Sequence, residues 1–345
     1  MRNYFLVTLA YLAFALIVAA LVAEAPLAAL GAAGGAMQEL AGLLLIPVSV
    51  LFCIATLRAL LWPVPQARQR LLDFWLAAAS LLLLHVGFAT LKTLLPGMVP
   101  FYADPALAQV DAWLHGGTDA WVLVHAWGRG LPVALVEQIY LLGWSFVAVL
   151  FPLMLAASDD DKDRRRRFLT LYLASWIVLG NLLALAGSSA GPVFYDQLLG
   201  AARFMALGPA LLESGIADSQ IGAIQDYMWW NYLNGAQQPS AAISAFPSLH
   251  VAIATLFALY LAERSRWLAP IGAAFLLAIL FMSVFTGYHY AIDGYVSIAF
   301  VGLAWLAQRQ GAASAVLLAA KALTRTPALL SRGNFAALRL RRSVR

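Results

Sequence analysis

The chain has 345 residues, of which 63% belong to the hydrophobic set and only 11% are charged. Soluble domains average about 25% charged residues, so this composition excludes an ordinary water-soluble fold. The net charge of +5 could suggest a nucleic-acid partner, but the basic residues stand in short runs beside apolar stretches, which is typical of a membrane protein. Cys53 is the only cysteine, so a disulfide within one chain and a thiolate metal site are both excluded.

Apolar stretches of about 20 residues, long enough to cross a hydrocarbon layer roughly 30 Å thick as helices, recur along the whole chain. The expected fold is therefore an all-α polytopic membrane bundle. It forms a single integral membrane domain, residues 1–345, which ends in a basic cytoplasmic tail at 309–345. We predict eight spans: 4–23, 41–62, 73–92, 134–156, 169–188, 248–263, 268–286 and 291–308.

Basic residues predict the orientation, because cytoplasmic loops carry an excess of Lys and Arg. With eight spans, most basic residues fall on one side, among them the run Lys162–Arg167 and the tail after Lys321, while Lys92, Arg129 and Arg203 are left for the other side. We therefore expect both termini in the cytoplasm. The expected location is a bacterial inner membrane. The segments expected at the outer, periplasmic face are 24–40, 93–133, 189–247 and 287–290.

The first span is also compatible with a signal peptide, since Arg2 precedes it and Ala23-Glu24-Ala25 has small residues at cleavage-like spacing. Its apolar stretch is longer than the usual 7 to 15 residues or so, which favours a membrane span. The outer segments 104–127 and 196–234 mix Leu, Ala and Trp with single charges. This pattern predicts amphipathic helices lying along the membrane interface.

Three ionisable residues lie where predicted spans enter the membrane from the outer face, a depth at which such side chains usually serve a function. His250 opens the sixth span, and His289 and Asp293 open the eighth. A spacing of four residues puts His289 and Asp293 on one helix face, where the carboxylate can fix the imidazole tautomer and leave the other ring nitrogen free to attack. His250, on a neighbouring helix, can protonate a leaving oxygen.

The approach to His250 predicts a phosphate-binding helix start. Pro247 and Ser248 precede the histidine, and proline is favoured at the first position of a helix. The N–H groups that follow are then free, and such a helix start, with its positive dipole end, binds phosphate readily. We therefore expect the Ser248 hydroxyl to contact a substrate phosphate.

The blocks Phe246–His250 and Thr286–Asp293 resemble the second and third motifs of the type 2 phosphatidic acid phosphatase superfamily. The general pattern of that superfamily is K-x6-R-P, P-S-G-H and S-R-x5-H-x3-D. The resemblance implies that His289 is the nucleophile, that His250 is the general acid and that Asp293 supports the nucleophile. It also implies a six-helix core, with 169–308 as the catalytic part and extra spans around it, and chemistry that needs no metal or other cofactor.

This chain departs from the general pattern at several positions. There it resembles the inositol phosphorylceramide synthase branch, in which the motifs P-S-L-H and H-Y-x-x-D are familiar. Leu249 replaces the motif glycine, Ser283 stands where the third-motif arginine is expected, and no K-x6-R-P occurs. The block 188–196 is similar to the first motif of that branch, and its Tyr195 is a candidate substrate contact.

Because the lysine and arginines of the general pattern are absent, the residue that would neutralise the substrate phosphate has to be found elsewhere in the chain. Of the three outward basic residues, Arg203 follows the block 188–196 most closely and is our first candidate for that role, ahead of Lys92 and Arg129.

The resemblance implies a metal-independent membrane phosphotransferase that forms a phosphohistidine intermediate. Its donor would be a phospholipid or a lipid pyrophosphate, and it would pass a phosphate-bearing headgroup to a lipid or glycan hydroxyl. A lipid phosphatase, with water as the acceptor, shares the first half of this reaction and stays open. The expected partners are the lipid substrate and the bilayer, without nucleic acid, and the sequence leaves the oligomeric state open.

Two further alternatives differ in class. A lipid transporter would place polar residues near the midplane and often carry repeated halves, whereas this chain concentrates its ionisable groups at one face. A zinc site could combine His115 and His125 with His250 and His289, although the irregular spacing of these residues disfavours it.

Overall fold

The computed structural model describes residues 1–23, 67–235 and 242–325, together with isolated positions between 31 and 57, and it describes side chains as far as Gln310. Every regular element in these ranges is a helix, so the predicted all-α class is confirmed for them. The described residues up to Val301 belong to one compact unit, and those from Gly302 to Arg325 belong to a second, in which the last helix continues.

Long helices alternate with groups of short ones along the chain. Two stretches inside long helices, Glu137–Gly143 and Ser175–Leu183, have π-helical hydrogen bonding. Numbered in chain order, the helices are α1 (Arg2–Val22), α2 (Ala67–Met98), α3 (Asp104–Leu114), α4 (Ala120–Trp127), α5 (Val133–Ser158), α6 (Lys162–Ala186), α7 (Pro192–Leu199), α8 (Leu207–Glu213), α9 (Gln220–Leu233), α10 (Leu249–Arg264), α11 (Ala269–Phe285) and α12 (Ala291–Arg325).

Five of the described helices are long and apolar enough to cross a membrane: α1, α2, α5, α6 and the Ala291–Gln310 part of α12. The predicted number of eight spans is therefore not confirmed. Helices α10 and α11 occupy two predicted positions, but their 16 and 17 residues fall short of the roughly 20 that a span usually needs. The predicted span 41–62 lies mostly outside the described residues.

Helix α1 packs along α2, and the close approach depends on a residue without a side chain. A Cβ atom at Gly87 would lie 3.0 Å from the Tyr11 ring, so the glycine leaves room for that ring. The Tyr11 hydroxyl in turn donates a hydrogen bond to the side-chain oxygen of Asn181 on α6. The first predicted span therefore packs as part of the bundle.

The central helices bring several chain segments together at one end of the bundle. Helix α10 packs against α5, α6 and α11, and α2 packs against α5 and α6. The amide of Ala103, just after α2, donates to the Ser188 carbonyl just after α6 (3.1 Å), and the Ala245 amide before α10 donates to the Ser189 carbonyl (2.8 Å). The ends of α2 and α6 and the start of α10 therefore meet, and the predicted site residues lie in this region.

Candidate active site

His289 and Asp293 form a buried pair at the start of α12. The Asp293 side chain is fully buried, and its Oδ2 atom lies 3.3 Å from His289 Nδ1 and accepts a hydrogen bond from the Tyr290 amide at 3.1 Å. Our expectation that one helix carries both residues is wrong, because α12 begins at Ala291 and His289 lies in the preceding loop. The pairing survives because the carboxylate of the first helical turn reaches back to the loop.

His250 lies in the first turn of α10, and the start of this helix differs from the expectation in one respect. Ser248 is the N-cap residue, so Pro247 lies outside the helix rather than at its first position. The buried Ser248 hydroxyl accepts a hydrogen bond from the Val251 amide at 3.4 Å, and its own amide donates to the Asp293 carbonyl at 3.3 Å. Ser248 thus holds the starts of α10 and α12 together, and its contact with a phosphate stays a prediction.

The two imidazoles lie next to each other. The ring centroids of His250 and His289 are 6.2 Å apart, and the ring planes are inclined at 62°. With Asp293 behind His289, two imidazoles and one carboxyl group therefore meet in one place. In this arrangement, His289 can act as a nucleophile supported by the Asp293 carboxyl group, and His250 can donate a proton from the other side of the reacting atom.

Two aromatic residues of α5 hold the His250 side chain, and neither was predicted from the sequence. Tyr140 stacks on the imidazole with a centroid distance of 4.5 Å and an interplanar angle of 11°. The ring centroid of Trp144 lies 4.0 Å from that of the same imidazole, and the indole N–H donates a hydrogen bond to the His250 carbonyl at 3.0 Å. Both residues lie in or beside the π-helical stretch of α5, a feature frequent at functional sites. In the sequence they look like ordinary aromatic residues of a membrane span, so no local signal distinguishes them.

Beside the histidines lies a cavity of about 630 Å³. Its wall is mostly apolar, as expected for a site that accepts the chains of a lipid. Helix α2 supplies one wall, α5 and Trp176 of α6 a second, and α9 a third. Both His250 and His289 line this cavity, together with Pro247 and Tyr288.

Lys92 of α2 lines the same cavity, whereas Arg203 does not. The Lys92 ammonium donates a hydrogen bond to the Ser244 hydroxyl at 2.7 Å. The Arg203 guanidinium forms an ion pair with Asp119 at 2.6 Å and also donates to the Ala108 carbonyl at 2.8 Å. The structure therefore brings Lys92, and not the favoured Arg203, close to the histidines.

The protonation state of His289 suits a nucleophile. Burial is the main cause that lowers the pKa of His289 from 6.5 to about 3, and the positive charge of Lys92 lowers it further. The ring is therefore neutral at physiological pH. A neutral ring that donates its Nδ1 hydrogen to Asp293 keeps a lone pair on Nε2.

Two buried carboxylates of α3 hold the segment around His289 in place. Asp104 accepts the hydroxyl hydrogen of Tyr290 at 2.9 Å and the Gly191 amide hydrogen at 2.9 Å. Asp111 accepts the Ile292 amide hydrogen at 3.0 Å. The predicted interfacial helix α3 therefore supports the site directly, a role that its sequence did not reveal.

The block 188–196 supports the site through its backbone. Gly191 has a φ of +89°, and a Cβ atom there would lie 2.3 Å from the Tyr288 carbonyl oxygen, so a side chain at this position would displace the loop that carries His289. Tyr195 is buried and packs on Phe204 with a centroid distance of 5.0 Å. Tyr195 does not line the cavity, and its predicted contact with substrate stays a prediction.

The remaining histidines of the zinc alternative have partners elsewhere. His115 hydrogen-bonds through Nε2 to the Tyr295 hydroxyl at 3.0 Å, and His125 to the Phe285 carbonyl at 2.9 Å. Within the described ranges, no group of three or more His, Cys, Asp or Glu is arranged to hold a metal ion.

The family model described as the PAP2 superfamily matches residues 105–307, which is more than half of the chain. The match confirms the superfamily suggested by the motifs and does not separate its branches. No curated protein and no solved structure matches the chain. With its apolar helices and this match, the chain belongs to the PAP2 superfamily and is an integral membrane enzyme of the phosphatase and phosphotransferase type.

Proposed function

We propose that this protein is a membrane phosphotransferase that acts through a phosphohistidine intermediate. Its donor is a phospholipid or a lipid pyrophosphate, and its acceptor is a hydroxyl group of a lipid or a glycan. The observation that carries the proposal is the convergence of His250, His289 and Asp293 beside one largely apolar cavity. No metal takes part in the proposed reaction.

In the first half-reaction, His289 Nε2 attacks the phosphorus atom and a nitrogen–phosphorus bond forms. The bond from phosphorus to the leaving oxygen breaks, and His250, which becomes protonated once the anionic donor lies beside it, gives its proton to that oxygen. Asp293 holds the Nδ1 proton and stabilises the positive charge that develops on the His289 ring. Tyr140 stacks on His250 and Trp144 packs against it at a tilt, and aromatic rings stabilise a cation such as the imidazolium form of this acid.

In the second half-reaction, neutral His250 takes the proton of an incoming hydroxyl group. The resulting oxygen nucleophile attacks phosphorus, the nitrogen–phosphorus bond breaks and His289 returns to its neutral form. Water in place of the alcohol would give a lipid phosphatase, which is the second candidate function. The departures at Leu249 and Ser283, which are similar to a transferase branch, favour transfer.

The proposed orientation places the site at the periplasmic face of a bacterial inner membrane, with both termini in the cytoplasm. The distribution of basic residues supports this orientation, because the run Lys162–Arg167 lies at the opposite end of α6 from the site. The apolar cavity wall supports lateral entry of a lipid from the bilayer.

Trapping of the intermediate tests the proposal. The purified enzyme is incubated with phospholipids labelled at phosphorus and quenched in base, in which phosphohistidine survives. We expect label on the wild-type protein and on the control His125→Gln, whose histidine lies outside the cavity lining. We expect none on His289→Ala, and equal turnover by His289→Ala and the wild type would refute the mechanism.

The dependence on acceptor separates transfer from hydrolysis. We expect product only when an acceptor lipid or glycan is added. Steady release of the phosphate-bearing group into water without an acceptor would identify a phosphatase instead. Lipid movement across vesicles that persists when both His250 and His289 are replaced would indicate a transporter.

A further inference from the structure

The cavity beside the two histidines holds a cation without a carboxylate partner. Lys92 lies on α2 within a predicted span, and its ammonium contacts the Ser244 hydroxyl at 2.7 Å. Within the described ranges, Lys92 makes no ion pair, and no other Lys or Arg lines the cavity. By contrast, Arg164, Arg167 and Arg203 all have carboxylate partners.

An unpaired ammonium group at membrane depth is expensive, and such groups usually mark the place of a substrate or ion. Ser244 uses one of the three N–H donors of Lys92, so two are left for a ligand. The positive charge is close enough to contribute to the lowered pKa of His289. Lys92 and His289 also line the same cavity, so a phosphate under attack by His289 lies within reach of this charge.

We propose that Lys92 binds the phosphate of the donor lipid, and that this single positive charge matches a phosphodiester, which carries one negative charge. The proposal rests on the phosphotransferase function and narrows its substrate class to phosphodiester-linked phospholipids. Among the described residues that line the cavity, Lys92 is the single Lys or Arg side chain.

The charge balance disfavours a phosphate monoester. A phosphate monoester loses its second proton with a pKa of about 6, so it carries nearly two negative charges above pH 7, whereas a diester carries one. The second charge of a monoester would enter an apolar cavity without a partner, at a large desolvation cost. A diester is neutralised completely by one ammonium group.

Binding measured without turnover tests the proposal separately from catalysis. The His289→Ala protein in detergent micelles is titrated with dioleoyl phosphatidylglycerol, dioleoyl phosphatidic acid and uncharged dioleoylglycerol, and the fluorescence of the cavity residues Trp144 and Trp176 reports binding. At pH 7 we expect the diester to bind roughly tenfold or more tightly than the monoester. At pH 5 the monoester carries one charge, and the difference should shrink to about twofold.

Variants at Lys92 complete the test. In the same background, Lys92→Met should weaken diester binding by roughly ten- to a hundredfold, as expected for a lost charge-assisted hydrogen bond, and leave dioleoylglycerol binding unchanged. Lys92→Arg should retain most of the affinity, which keeps the test valid if the methionine variant folds poorly. The control Arg203→Gln, outside the cavity, should bind all three lipids like its parent.

Each outcome separates the two proposals. Diester binding that is unchanged in Lys92→Met, or a preference for the monoester at pH 7, would overturn the role of Lys92 even if phosphohistidine is trapped on His289. Binding that depends on Lys92 in a protein that never forms phosphohistidine would support the phosphate site and refute the proposed function.

Discussion

Replacement of Trp144 by leucine removes two contacts that hold His250. The indole N–H bonds to the His250 carbonyl at 3.0 Å, and the indole ring packs on the imidazole at 4.0 Å. A net hydrogen bond contributes about 1 kcal/mol, and contact of an aromatic face with an imidazolium contributes about 1 to 2 kcal/mol when water is excluded. The loss is therefore about 2 to 3 kcal/mol, or about 30- to 150-fold in kcat at 1.36 kcal/mol per factor of ten.

A donor that needs no general acid isolates the cause of this loss. Nitrophenolate leaves without a proton, whereas an alkoxide does not, so the defect of Trp144→Leu should shrink to a few-fold with a nitrophenyl phosphodiester. Trp144→Phe keeps a stacking ring and loses only the hydrogen bond, so we expect a loss of about fivefold with an alkyl donor. Trp113→Leu is the matched control, because this indole on α3 is 76% exposed.

Steady-state kinetics with both donors measures these effects. Thermal unfolding in detergent gives the folded fraction of each variant, to which kcat is normalised. If Trp144→Leu keeps kcat within threefold of the wild type for the alkyl donor, the tryptophan does not hold the acid. An equal loss with both donors would show a general structural defect in place of a defect in proton donation.

Three further predictions concern the loop around His289 and the chemistry. Gly191→Ala should abolish activity and destabilise the fold by several kcal/mol, because the new Cβ atom would lie 2.3 Å from the Tyr288 carbonyl oxygen. The control is Gly200→Ala, which also has a positive φ but open space around it, and it should lower the free energy of unfolding by only about 1 kcal/mol. The pKa of His289 is lowered from 6.5 to about 3, so the unfolded chain binds a proton that the folded chain excludes, and stability should fall as the pH drops from 6.5 to 3. Unfolding experiments in detergent should show a shallower fall for His289→Gln, and an equal slope would contradict the assigned cause. Turnover should be unchanged after dialysis against EDTA, and recovery of lost activity by added zinc or magnesium would refute the metal-independent mechanism.

The sequence by itself was sufficient to predict the class of fold and to select His250, His289 and Asp293, which the folded chain brings together. In the described ranges, each apolar stretch predicted to span the membrane is helical, because the bilayer demands internal hydrogen bonding of the backbone. His250, His289 and Asp293 could be selected because ionisable groups are rare and costly beside apolar spans. The motifs that carry the family resemblance are short and contiguous in the chain, so they can be recognised in a single sequence.

The tertiary structure alone decided which other residues lie beside this trio. Lys92 and Arg203 look equivalent in the sequence, since both are basic residues assigned to the outer side. The difference arises from packing, because α2 turns Lys92 toward the cavity while Asp119 pairs with Arg203. Contacts between residues far apart in the chain, such as Lys92 with Ser244 and Trp144 with His250, have no local sequence pattern, so only the folded bundle brings them together.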